Sequence, residues 1–340
     1  MSQIPADIKA GQVPGLAAGA KKVEGRSPGQ IFWARFRQDK LALVGLFFVF
    51  LLVLVALSAN FITDTWAHDP NDISNQLEFT NDFDNPEGPQ PEEQLYFGAD
   101  SNGRDVFARV IHGTRTTLVI ALGATVLSVA IGVVLGIMAG YFGGAADTII
   151  SRLIDLILSV PLLFFAVGIG SVCGSTAEGC VIPLGAGPLP DFLNLELKPG
   201  LALVMIIVAV FSWLYIARIV RGNTLSIREK EFIDASRAMG ASSRRIMFRE
   251  VLPNLVAPII VYATLIIPSN IIFEASLSFL GVGVPDETPS WGSMLEQASQ
   301  VFDTAWWLML FPGLFLLFTV LAFNLLGDGL RDALDPKQAR

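Results

Sequence analysis

Six uninterrupted stretches of this chain contain no Asp, Glu, Lys or Arg, and the shortest of them is 19 residues long. They are Leu41 to Thr63, Thr116 to Ala146, Leu156 to Ala177, Pro199 to Ala217, Val251 to Phe273 and Thr304 to Gly327. A bilayer core about 30 Å thick needs roughly 20 apolar residues per helical crossing, so each run has a span's length. The ten-residue alternating segments of an outer-membrane barrel are missing, and a helix satisfies its own backbone in lipid. The expected fold is therefore all-α: a polytopic membrane protein with six transmembrane helices. Composition agrees, since 52% hydrophobic and 16% charged residues in 340 is too apolar for a soluble domain. A polar lead of 40 residues before a charge-free run of 23 is too long for a cleaved signal peptide, so the first span reads as an uncleaved anchor.

Charge sets the expected orientation, because Lys and Arg between spans are retained on the cytoplasmic side. With both termini inside, 19 of the 23 Lys and Arg fall on the cytoplasmic face; only Arg104, Arg109, Arg115 and Lys198 fall outside. The segment from Asp64 to Arg115 instead carries 11 Asp and Glu, which accounts for most of the net charge of −8. No basic stripe faces outward, which argues against a nucleic-acid partner. The chain divides into a cytoplasmic arm (1–40), a first span (41–63), an outer segment (64–115), a five-span core (116–328) with an inner loop (218–250), and a cytoplasmic tail (329–340). Trp33 to Arg37, mixing aromatic and basic side chains before the first span, suits an interfacial anchor.

Several positions within this frame carry chemistry. Cys173 and Cys180 fall in the second outer loop, where an oxidising compartment would favour a disulfide over two free thiols. Gly132, Gly136 and Gly140, spaced four apart, free one helix face for a close neighbour. Pro161 removes a backbone hydrogen bond and should kink the third span. Glu274 follows 23 uncharged residues and precedes 11 more. An intramembrane acid is expensive, so it is a candidate functional group, with a hydrogen-bonded structural role as the alternative.

Signatures of catalysis are absent. His68 and His112 have no partner at metal-ligand spacing, and there is no H-E-x-x-H or C-x-x-C. No Gly-Lys pair precedes a Ser or Thr, so the chain has no P-loop, and ATP and its magnesium would have to be held by another subunit. The inner loop is the strongest candidate for meeting such a subunit. Glu229 to Met239 lacks Gly and Pro and reads as a short helix, Gly240 interrupts it, Ser242 or Ser243 can cap a second, and Pro253 follows that one's end. Ala235, Ser236 and Ala238 are small enough for another protein to approach closely.

At this loop the sequence resembles the permeases of binding-protein-dependent ABC importers, whose pattern is E-A-A, three residues, Gly, then a hydrophobic-Leu-Pro. Here it reads Asp234-Ala235-Ser236, Gly240 and Val251-Leu252-Pro253. Tyr96 to Asp105, Trp213 to Asp234, the block from Glu274 to Leu295 and the stretch from Phe311 to Lys337 are similar to the C-type permease of oligopeptide and dipeptide importers, and Val23 to Ser27 to the oligopeptide member. The resemblance implies an ABC importer type I transmembrane domain, with Asp234, Ala235, Ser236, Gly240, Leu252 and Pro253 in a coupling element that docks on a separate ATPase. It further implies a second, B-type permease, two cytoplasmic ATPases, an extracytoplasmic peptide-binding protein, a bacterial inner-membrane location and oligopeptide cargo. Dipeptide, nickel-chelate and glutathione importers share the architecture. An ion-coupled transporter, with Glu274 carrying a proton, is the reading from another class, and it lacks the internal repeat such proteins show.

Overall fold

In the computed structural model the described residues are 28–73, 79–80, 86–174, 180–183, 194–197 and 200–334. The arm before Pro28, the tail after Leu334 and the side chains of Cys173 and Cys180 lie outside the described residues. Twelve α-helices are present among those described: α1 Pro28–Phe36, α2 Lys40–Leu57, α3 Ala59–Trp66, α4 Val106–Phe142, α5 Gly144–Ser159, α6 Leu162–Gly174, α7 Leu201–Arg228, α8 Glu231–Ala238, α9 Ser243–Ile246, α10 Leu252–Phe279, α11 Trp291–Val301 and α12 Trp307–Leu334. Five are long and apolar enough to cross a membrane, α9 counting as one span with α10; α5 and α6, bent by 86° at the break between them, make a sixth where the bent pair is counted as one span. The nearly all-helical expectation holds. One exception is a small antiparallel ribbon, β1 Cys180–Pro183 with β2 Asn194–Leu197, after α6.

The span boundaries differ from the charge-free runs for identifiable reasons. The first crossing ends at Leu57, six residues early, where Ser58 donates its hydroxyl to the Leu54 carbonyl at 2.6 Å and the amphipathic α3 takes over. The second begins at Val106 instead of Thr116, because Asp105 caps it through the N–H groups of Phe107 and Ala108 and Arg109 is paired within its first turn. It ends at Gly143, whose φ of +65° favours glycine. The third starts at Gly144, twelve residues before the expected Leu156. The charges that hid this start, Asp147 and Asp155, pair with Arg221 and Arg218 of α7. The break falls at Val160-Pro161, where the missing N–H was expected to kink the chain. The inner loop is shorter than 218–250, since Arg218 to Arg228 complete the last turns of α7.

Helices α4 and α7 form the centre. A Cβ added at Gly132 would sit 2.9 Å from the Trp213 carbonyl, at Gly136 2.7 Å from that of Ala217, and at Gly140 2.8 Å from that of Arg221. The glycine stripe thus sets two backbones in contact, the close approach that association in lipid relies on when hydrophobicity gives no drive. Along this seam Ile120, Ala124, Leu203, Ile207 and Phe211 pack on Leu277, bringing in α10. At the other end Ile137, Tyr141, Ile216 and Val220 enclose Ile233, Ile246, Val251 and Leu255. α12 and α2 cover α10 and α4, and their own contact is equally close: a Cβ at Gly45 would lie 2.7 Å from the Ala322 carbonyl. α1 follows, with Phe36 buried beside Ala42, Leu326 and Ala333.

Candidate functional site

The residues expected to couple to an ATPase, from Asp234 to Pro253, occupy one end of the bundle, the basic end, beyond the last turns of α4 and α7. Ile233 and Ser236 face inward, and the Arg237 guanidinium stacks over the Tyr141 ring at 5.5 Å, fastening α8 to α4. The opposite face is open. Asp234, Ala235, Ala238 and Gly240 are exposed, as are the apolar Phe232 and Met239, the latter 80% exposed. Gly240 takes φ +79° with nothing within 4 Å of a would-be Cβ, so its glycine serves the turn and leaves open space in front of it. Ser242 caps α9 by accepting from Arg245 N–H at 3.4 Å.

The motif therefore divides. Asp234, which accepts from Arg237 at 3.1 Å, Ala235 and Gly240 share the open surface; Ser236 is turned to the core, and Leu252 is half-buried against it. Pro253 does not terminate a helix as expected. It sits in the first turn of α10, because Met247–Val251 adopts one π-helical turn that carries the chain from α9 into α10. The irregular π turn just before it lets this helical path accommodate a residue that has no N–H to donate.

Between α7 and α10 lies a cavity of about 400 Å³ lined by Phe211, Ser212, Tyr215, Tyr262, Asn270 and Phe273. Its polar floor is a buried bridge across all three central helices. Asn270 donates to Thr125 Oγ1 of α4 at 2.9 Å and accepts from Ser212 Oγ of α7 at 2.5 Å. Uncharged, these residues left no mark on a search for charge-free runs. A polar Asn within the fifth span was the available signal.

The other, acidic end is closed by ion pairs. Asp100 accepts from the backbone N–H groups of Asn102 and Arg104, both at 2.9 Å, and from Arg104 Nε at 2.7 Å. Arg104 and the fully buried Arg109 converge on Asp286 at 2.7 and 3.0 Å, and Arg109 Nε lies 3.7 Å from Asp100. Trp307 donates to the Ala99 carbonyl at 3.1 Å, and Trp291 to that of Val110 at 3.1 Å. The Tyr96-to-Asp105 motif is thereby locked to α4, α11 and α12. Beside it a polar cavity of about 650 Å³ is lined by Asp64, His68, Asp69, His112, Arg115 and Glu287.

Glu274 lies near this end of α10, fully buried. Ser278 donates to its Oε1 at 2.9 Å, and the Thr117 hydroxyl of α4 and the Ser290 hydroxyl face the same carboxyl. The neighbouring backbone at Ala275 comes within 2.7 Å of a Cβ built on Gly292 of α11. Glu274 thus sits at the α4–α10–α11 junction, away from the α7–α10 cavity.

Two carboxyls at this end respond oppositely to pH. Burial alone would raise Asp286, but Arg104 and Arg109 outweigh it and hold the group below the usual carboxylate range. Burial raises Asp105, and the N–H groups of His68, Phe107 and Ala108 offset only part of that rise. Asp286 therefore contributes stability that is complete above its unfolded pKa and lost as pH falls through its lowered folded value; Asp105 gains as it becomes protonated. Half of Asp286 is in solvent, which reduces its share. In detergent melts from pH 7 to pH 3, Asp286→Asn should lose less melting temperature than the parent, and equal losses would contradict this assignment.

The family model for the inner membrane component of binding-protein-dependent transport systems matches residues 132–340, and that for the N-terminal transmembrane domain of oligopeptide transport permease C matches 27–85. Glutathione transport system permease protein GsiD of Pectobacterium atrosepticum is 38% identical over 313 residues, 92% of each chain. GsiD of Escherichia coli O157:H7 is 40% identical over 312 residues, 92% of this chain and 91% of that one. Among solved structures, a chain of the inward-facing MetNI methionine ABC transporter aligns with 66% of this chain and 96% of its own, at 20% identity and a TM-score of 0.49. A family model matched over more than half the chain, and relatives near 40% identical along almost all of it, establish that this protein belongs to the inner membrane components of binding-protein-dependent transport systems.

Proposed function

We propose that this chain is one half of the pore of an ATP-driven importer of short peptides in a bacterial inner membrane, with both termini in the cytoplasm. The other half is a B-type permease, two cytoplasmic ATPases hold the nucleotide and magnesium, and an extracytoplasmic binding protein delivers cargo. Glutathione, itself a tripeptide, is the favoured cargo because the curated relatives that match along nearly the whole chain are glutathione permeases. Longer oligopeptides, expected from the sequence motifs, come second, supported by the match of the N-terminal segment to permease C.

The observation that carries the mechanism is the exposed knob of Phe232, Ala235, Met239 and Gly240 on α8 and the turn after it, joined by short connections to α7 and to the α9–α10 helix. An apolar knob at the membrane surface needs a protein cleft, and ATP-driven closure of the ATPases would push on it. Tilting α7 against α10 would then reshape the cavity at Tyr215, Tyr262 and Asn270, opening it to the outer face. The Tyr, Ser and Asn lining offers hydrogen bonds without a fixed charge, which suits release of varied peptides.

Gly240→Asp tests this. Asp is among the few residues that tolerate a left-handed backbone, so the fold should lose only about 1 kcal/mol. Its charge would enter the docking face, and uptake of labelled glutathione by cells carrying the whole system should fall to background at unchanged membrane levels. Normal uptake would remove the coupling role. Uptake of pentapeptides without glutathione in the parent system would instead correct the cargo alone.

A further inference from the structure

We infer that the groove between α4 and α10 at the basic end is a seat for an anionic phospholipid, held by its acyl chains along the groove and by Arg244 at its phosphate. The groove has a volume of about 750 Å³ and is lined by apolar side chains with Arg244 as its one charged member. Ile137 and Met247 form a buried floor; Val134, Met138, Phe248 and Ile260 stand exposed as walls. From Val129 to Phe142 its α4 wall runs about 20 Å at 1.5 Å per residue, somewhat more than the depth of one leaflet of a roughly 30 Å core. An acyl chain entering at the basic end fills such a slot without crossing the bilayer.

The headgroup follows from charge. Arg244, Arg245 and Arg249 form ion pairs with no carboxylate among the described residues, and all three side chains are exposed where the helices leave the membrane. Basic pockets of this kind between spanning helices attract anionic headgroups. Arg244 differs from its two neighbours in lining the apolar slot itself, so phosphate and tail are recognised together. Because α9, the π turn and the first turns of α10 form this wall, a seated lipid would brace the segment that carries the knob into the membrane. The inference needs only that the chain spans a bilayer, and it stands apart from the cargo and the direction of transport.

The test is native mass spectrometry of the delipidated full complex titrated with dioleoyl-phosphatidylglycerol or dioleoyl-phosphatidylcholine. Phosphatidylglycerol should be retained preferentially. Arg244→Gln should weaken its retention about fivefold, one surface charge's worth. Ala130→Trp, filling the groove from an exposed position with Arg244 intact, should also weaken it, at an unchanged melting temperature. Equal retention of the two lipids, or indifference to both substitutions, would overturn the proposal. So would displacement by inorganic phosphate without any effect of Ala130→Trp, which would make the arginine a free-phosphate contact. Cross-linking of Ala130→Cys to a second permease or of Arg244→Cys to an ATPase in the resting complex would give the groove a protein occupant and likewise overturn it.

Discussion

Asp100→Asn should destabilise the protein by roughly 3 to 5 kcal/mol, the cost of removing one partner from a buried ion cluster. The side chain keeps its shape but loses the charge that balances Arg104 and the fully buried Arg109. Asp286 then remains as the carboxylate for two guanidinium groups, and it is half in solvent. Nor can Asn both accept from Arg104 Nε and accept from the two loop N–H groups, because one of its ends is a donor. The expected result is a melting temperature in mild detergent lowered by many degrees, with the Tyr96-to-Asp105 segment becoming accessible to protease. Asp286→Asn should cost clearly less. If the two variants melt alike, the cluster does not depend on Asp100 as described.

Gly136→Val should be comparably damaging for a different reason. Its Cβ would lie 2.7 Å from the Ala217 carbonyl and 2.8 Å from Val220 Cβ, and both obstacles belong to the facing helix. α4 and α7 must then separate along the seam that forms the centre of the bundle. Overpacking of this kind typically costs about 3 kcal/mol, and here it also opens neighbouring contacts at Gly132 and Gly140. The yield of monodisperse protein after solubilisation should collapse. Gly222→Ala is the control: it lies in α7 with nothing within 4 Å, and should be neutral or gain up to about 1 kcal/mol from helix propensity. A monodisperse Gly136→Val protein would contradict the close α4–α7 contact.

These two cases mark where the sequence was legible. The glycine stripe could be read directly, since a spacing of four on a helix in lipid has one common use. The six crossings were legible too, because twenty uncharged residues in a row leave little choice. Their ends were not. A search that stops at charges cannot know that Asp147 will meet Arg221, or that Arg109 will be neutralised by residues as distant as Asp286. Long-range pairing makes an ionisable group acceptable inside a helix, and that information lies in the fold. Pro161 announced a break but not its 86° bend. In the coupling loop the helix–glycine–helix order was visible, while the π turn that runs α9 into α10 had no sequence signature. The Thr125–Asn270–Ser212 bridge went unread because its members are ordinary polar residues until three helices bring them together.

The most direct measurement is mass spectrometry of what copurifies with the tagged chain in mild detergent, followed by uptake in liposomes with and without ATP. A permease half with an exposed coupling knob predicts a second permease and P-loop ATPases in the purified material, and uptake that requires ATP. A homo-oligomer of this chain that transports without ATP would contradict it.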